Sequence, residues 1–198
     1  MIKNIIFDLG NVLLDFDPES YLKDLGYQEK LKSKLKKSVF ETEEWLLLDK
    51  GLIKEREAVK IWKRKNPNLK NEIENTIIGW EEILKLKQDS LEIVKDLVVQ
   101  DYNLYILSNF PEKAFTYINS KYDFFKYFKG QVISYQVKMI KPDLKIYQHL
   151  LESFNLKAEE TLFIDDSKEN IEAALQAGIR GLQFKDAINL KEKLNALL

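Results

Sequence analysis

The run Ile5-Ile6-Phe7 is short, apolar and unbroken, and it ends on a carboxylate, Asp8, with a glycine two residues further on. A continuous apolar run of this length reads as a strand covered on both faces, which is the condition of a parallel sheet. Asp8 then stands at the carboxyl end of that strand. In open α/β sheets ligands bind at this end, because loop amides and helix N-termini converge there. Alone the position decides nothing, since an Asp that ends a strand serves a turn as readily as a reaction.

Further strands follow the same rule. Residues 103–107 read as a strand ending at Ser108-Asn109, residues 131–134 as a shorter one, residues 161–164 as one ending at Asp165-Asp166-Ser167, and residues 181–184 as an outer strand. Helical patterns lie between them. The helix at 90–99 turns Leu91, Val94, Leu97 and Val98 inward; Pro111 opens another through Ala114, Phe115 and Ile118. Lys141-Pro142-Asp143 opens a third with Ile146, Leu150 and Leu151, and Ser167 caps a fourth through Ile171, Ala174 and Leu175, stopped by Gly178. This alternation predicts parallel βαβ units in a three-layer, doubly wound, Rossmann-like α/β core.

Residues 18–86 break the alternation, being helical in pattern with no convincing strand. Leu31, Leu35 and Val39 share a helix face, Ala58, Ile61 and Trp62 another, and a helix over 69–80 aligns Ile73, Ile77 and Trp80. Trp45, Trp62 and Trp80 read as the core of this small bundle. The expected organisation is an α/β core of residues 1–15 and 88–198 with an inserted helical bundle, residues 16–87.

Composition narrows the function classes. Lys+Arg number 31 and Asp+Glu 32, so no overall field favours nucleic acid or a membrane surface. The basic stretch at 30–37 alternates with Leu31 and Leu35, as the solvated side of an amphipathic helix does. There is no cysteine, which excludes disulfides, thiolate nucleophiles and sulfur-ligated zinc. No apolar run reaches membrane-spanning length, and the first strand begins too early for a signal segment. The expectation is a soluble cytoplasmic protein with neither nucleic-acid nor membrane partners.

If the strands are parallel, Asp8, Ser108-Asn109 and Asp165-Asp166 all emerge on one sheet edge, with Lys141 at a helix start beside them. Crowded carboxylates repel, and a cation or a bound proton must offset them. Hard oxygen donors call for Mg²⁺, which takes one or two carboxylates together with a substrate phosphate. Lys141 and the Ser108 hydroxyl suit phosphate oxygens, and Asp8 is left as a nucleophile able to form an aspartyl-phosphate.

Phe-Asp-Leu-Gly-Asn-Val at 7–12, Leu-Ser-Asn at 107–109, Lys-Pro-Asp at 141–143 and Phe-Ile-Asp-Asp-Ser at 163–167 resemble, in order, the four motifs of the haloacid dehalogenase superfamily. Within it the chain is most similar to capped sugar-phosphate phosphatases of the alpha-D-glucose-1-phosphate phosphatase kind. The resemblance implies Asp8 as nucleophile and magnesium ligand, with the Gly10 carbonyl on the metal. It implies Ser108 and Asn109 on the phosphoryl group, Lys141 bridging nucleophile and phosphate, and Asp166 on magnesium directly. Asp165 would act through a water, Asn170 would orient the cluster, and the inserted bundle would be a substrate-selecting cap. The partner would be a small phosphorylated metabolite, with the chain a monomer or homodimer.

The departure lies at Gly10, where the superfamily usually carries a second Asp that serves the leaving group and the water. General acid and base assistance is typically worth ~10²–10⁴-fold, so a slow enzyme remains possible without it. Asp15 and Asp17 offer substitute acids, or equally turn residues at a hinge. The rival readings are a 2-haloacid dehalogenase, which needs no metal, and a catalytically weak or silent protein that binds a phosphorylated ligand or a protein partner.

Overall fold

The computed structural model describes all of residues 1–198. Strand β1 (Asn4–Phe7) precedes five helices, α1 (Pro18–Asp24), α2 (Glu29–Val39), α3 (Glu43–Asp49), α4 (Glu55–Lys65) and α5 (Lys70–Ile77). Then come α6 (Gln88–Val99), β2 (Asn103–Ser108), α7 (Glu112–Lys121), β3 (Gly130–Ile133) and α8 (Ser134–Val137). The chain closes with α9 (Leu144–Ser153), β4 (Thr161–Asp165), α10 (Lys168–Gln176), β5 (Arg180–Gln183) and α11 (Ala187–Leu197). The sheet order is β3-β2-β1-β4-β5, and every pairing is parallel.

Alternate residues of each strand point to opposite faces, and both faces are dry. Ile6, Tyr105, Leu107 and Phe163 pack with Ile146, Tyr147 and Leu150 of α9 and Ala173 and Ala174 of α10. Ile5, Phe7, Leu104, Ile106 and Ile164 face the other way, onto a larger core with Leu91 and Val94 of α6, Ile118 of α7, and Leu190 and Leu194 of α11. The result is three layers. The strand order runs outward in both directions from the β1/β4 pair, a switch point that opens a crevice at the carboxyl edge. Register fixes what stands there. Phe7 is level with Ile164 and with Ile106, so Asp8 is level with Asp165, and Ser108 lies one residue further out.

Helices α1–α5 gather around aromatic rings. Trp45 lies 4.8 Å from Phe40, 4.9 Å from Trp80 and 6.2 Å from Trp62 between ring centroids. The indole of Trp62 donates to Thr42 Oγ1 at 2.9 Å, and the same oxygen caps α3 by accepting from the Trp45 amide. The chain enters and leaves this region side by side. Asp15 N donates to Lys85 O and Lys87 N to Leu13 O, forming an antiparallel bridge at Leu14 and Leu86.

Some expected details differ. The helix expected over 69–80 ends at Ile77, because Gly79 takes φ 73° and Trp80 then begins a separate 3₁₀ turn, Trp80–Ile83. Val98 is 39% and Leu175 56% exposed; Ile93 and Ala173 hold the inward positions instead. Ser134 begins α8 rather than ending β3. Helix α11, with Leu190 and Leu194 one turn apart, was not among the expected elements. No helix is long and apolar enough to cross a membrane.

Candidate active site

At the switch point Asp8 is 7% exposed, and its Oδ1 is held three ways. It accepts from the Leu9 amide at 2.7 Å and from Ser108 Oγ at 2.6 Å, and lies 2.9 Å from Lys141 Nζ. The same ammonium donates to Asp165 Oδ2 at 2.6 Å. Lys141 thus sits between two carboxylates, itself 3% exposed. Burial alone would push its pKa down; the charges of Asp165 and Asp8 outweigh it and hold the ammonium above its ordinary value.

Asp165 is tied on both oxygens. Asn170 Nδ2 donates to Oδ1 and Oδ2 at 3.0 and 3.1 Å, and the Ser167 amide donates to Oδ1 at 2.8 Å. It is held in one orientation and aims Lys141. Its neighbour Asp166 keeps one oxygen free of protein donors, the other accepting from Asn11 Nδ2 at 3.0 Å. Asn11 adopts φ 57°, a left-handed conformation that Asn tolerates better than most residues, and its side-chain oxygen also accepts from the Phe16 amide. It couples the exit of β1 to Asp166.

Carboxylate oxygens of Asp8, Asp165 and Asp166 lie within 4.8 Å of one another. One ammonium does not neutralise three carboxylates. Burial, reinforced by the Asp165 charge, pushes Asp8 up to about 7 against the pull of Lys141 and Ser108. Asp166 is raised as well, chiefly by burial. All the donors are hard oxygens, and the surplus negative charge remains uncompensated by the protein. Both properties fit a divalent cation of the Mg²⁺ type. The Gly10 carbonyl accepts no hydrogen bond from the protein, nor is the Gly10 or Asn109 amide hydrogen spent on a main-chain acceptor.

The structure therefore brings Asp8, Gly10, Ser108, Lys141, Asp165 and Asp166 to one edge. Asn109 is there too, but its side chain is spent on the backbone of Lys141, accepting from Lys141 N at 2.8 Å and donating to Lys141 O at 3.0 Å. Its side chain braces the lysine loop, and its main-chain N–H is what it has left to offer a ligand. Each substitute acid already has a partner. Asp17 caps α1 through the Glu19 and Ser20 amides and is held below its usual range by Ser20, while Asp15 pairs with Lys87 at 3.4 Å.

One acidic residue near the site was not expected. Asp49, the last residue of α3, is 8% exposed, and burial followed by the charge of Asp8 pushes it up to about 8. An acidic side chain at a helix C-terminus opposes the helix dipole, and that was its only signal in the sequence.

The protein-family comparison agrees with this geometry. Residues 2–178 match the haloacid dehalogenase-like hydrolases. The sesquiterpene phosphatase astK of Aspergillus oryzae is 27% identical over 99% of this chain and 96% of its own length. The phosphorylated carbohydrates phosphatase of Thermotoga maritima is 30% identical over 88% of this chain and 81% of its own. Among solved structures, a HAD family enzyme from Bacteroides thetaiotaomicron, in complex with magnesium and inorganic phosphate, superposes with a TM-score of 0.71. It is 27% identical, with 93% of this chain and 95% of that one covered. With the matched residues running from β1 past α10, and the motif side chains meeting at one sheet edge, the chain belongs to the haloacid dehalogenase-like hydrolase family.

Proposed function

We propose that this enzyme is a Mg²⁺-dependent phosphatase that hydrolyses phosphomonoesters of small metabolites, sugar phosphates foremost, by way of a phosphoryl group carried on Asp8. The observation that carries the reading is the Asp8 carboxylate, fixed on one oxygen by Ser108 and Lys141 while its other oxygen accepts no protein hydrogen bond. A nucleophile needs that asymmetry, with one oxygen to fix its direction and the other to attack.

Asp8 would attack phosphorus, forming the Asp8–phosphorus bond as the bond to the ester oxygen breaks and the freed alcohol takes up a proton. Water then attacks phosphorus, releasing inorganic phosphate and restoring the carboxylate. Lys141, the Ser108 hydroxyl and the Asn109 and Gly10 amides would hold the phosphoryl oxygens as charge shifts among them. Asp8, Asp166 and the Gly10 carbonyl would hold Mg²⁺, with Asp165 reaching it through a water. When bound, the ion supplies positive charge against the carboxylates and the phosphate oxygens.

Residues 16–87 would act as the substrate-selecting cap, with the paired connections at Leu14 and Leu86 as its stem. The named relatives dephosphorylate chemically distant groups, a sesquiterpene and carbohydrates. That range fits a shared phosphate site under a variable cap. The test is phosphate release from p-nitrophenyl phosphate and a panel of sugar phosphates, with and without chelator. Turnover that needs Mg²⁺ and is lost in Asp8→Ala supports the reading. Turnover that survives both, or chloride release from 2-chloropropionate without metal, overturns it.

A further inference from the structure

An alkyl phosphate parts with a strongly basic alkoxide, and the second step must take a proton from water, so some group must hold a proton near the ester oxygen. The carboxylates already described each have a partner. Asp165 is tied on both oxygens, Asp166 is bonded to Asn11, Asp15 is paired with Lys87, and Asp17 is a helix cap. At residue 10 there is room instead of a side chain: a Cβ placed on Gly10 would meet no atom within 4 Å.

Asp49 is anchored to this edge. Its carbonyl accepts from Ser134 Oγ, and that oxygen accepts in turn from the Phe110 amide at 2.9 Å, directly after Ser108-Asn109. Lys138 of the same β3–α9 connection donates to the Gly51 carbonyl at 2.6 Å, fixing the turn that follows α3. The end of α3 is thus tied to the loops that carry Ser108 and Lys141. The Asp49 carboxyl itself accepts no hydrogen bond from the protein, yet it is not sealed in as the unpartnered Glu44 Oε2 is. The charges that act on it are those of Asp8 and Lys141.

We infer that Asp49, reaching the site from the helical insert, is the proton carrier of the reaction: it gives its proton to the departing ester oxygen and takes one back from the attacking water. This deepens the phosphatase reading and rests on it. In the first step the Asp49 O–H bond breaks as the alcohol O–H bond forms, while the electron pair of the phosphorus–oxygen bond leaves with the alcohol. In the second, water bonds to phosphorus, the Asp8–phosphorus bond breaks, and the water proton returns to Asp49. Burial, then the charge of Asp8, pushes the carboxyl up to about 8, the direction that favours a proton donor. The assignment also links chemistry to the insert, because the proton carrier stays in place only while α3 is seated against α8.

The test compares Asp49→Asn with the wild type on glycerol 1-phosphate and on 2,4-dinitrophenyl phosphate, whose leaving group needs no proton. The variant should lose about 10²–10⁴-fold in kcat/KM on the alkyl ester and less than about tenfold on the activated one. Mass spectrometry of the quenched variant should show phosphoenzyme accumulating with the activated ester, because water attack is slowed. Installing Gly10→Asp in the Asp49→Asn background should restore alkyl ester turnover, since residue 10 has the room. Equal losses on both esters, or no loss, overturn the assignment while leaving the phosphatase reading intact. A wild type that releases phosphate from neither ester overturns both.

Discussion

Replacing Lys141 by Met in the metal-free protein should be costly in a way that pH reveals. Met keeps the length of the side chain and removes its charge, so Asp8 and Asp165 lose an ammonium at 2.9 and 2.6 Å while remaining buried. Removing one partner of a buried ion pair typically costs about 3–5 kcal/mol. In a chain of this size that corresponds to a fall of roughly 6–20 °C in Tm. The cost should depend on pH in a definite sense. Asp8 is already raised from 3.8 to about 7, mainly by burial, with Lys141 the largest opposing influence. A carboxyl whose pKa is raised by folding contributes full stability below the unfolded value and loses it as pH rises to the folded one. Without Lys141 the folded value climbs further, so the penalty grows as pH rises through about 7 and is larger at pH 8 than at pH 5. Urea unfolding of both proteins in chelator at the two pH values measures it. A loss under about 1 kcal/mol at pH 8, or one that fails to shrink at pH 5, refutes the coupling described here.

Other outcomes follow from the same geometry. Asn170→Ala removes one donor from each oxygen of Asp165, and loss of hydrogen bonds to a charged group should cost about 1.5–3 kcal/mol in chemical unfolding, with activity falling as the carboxylate that aims Lys141 loosens. Mg²⁺ at about 100 times its Kd should stabilise the wild type by about 2.7 kcal/mol in thermal melts, and Asp8→Asn should abolish most of that gain. Gly181→Ala would bring a Cβ within 2.6 Å of Ile171 Cγ2, and such overpacking should destabilise by about 1–3 kcal/mol, read from the urea midpoint.

The parallel sheet was legible because strands buried on both faces carry unbroken apolar runs, and the polar residue ending each run marks the binding edge. Asp8, Ser108 and Asp165 could be found this way, since register in a parallel sheet makes strand ends neighbours without further information. What escaped depends on contacts across the fold. That the Asn109 side chain clasps the backbone of Lys141 could not be read from the motif, because the two residues are 32 apart in the chain. Asp49 looks like one more acidic residue in a charged helical segment; only the docking of α3 beside α8 puts it where the charge of Asp8 acts on it. Periodicity also aligned Trp80 with α5, although Gly79 had already ended the helix, and the ring reached the same core by a separate turn. Helix α11 went unread because it follows the last motif and carries no chemistry.

The central claim is that Asp8 carries the phosphoryl group. Rapid acid quench during turnover, followed by peptide mass analysis, tests it most directly. The account predicts the mass of one phosphoryl group on the peptide bearing Asp8, localised to that residue, and its absence in Asp8→Asn. Phosphate release with no phosphoryl group on Asp8 at any time, or undiminished turnover in Asp8→Asn, would contradict it.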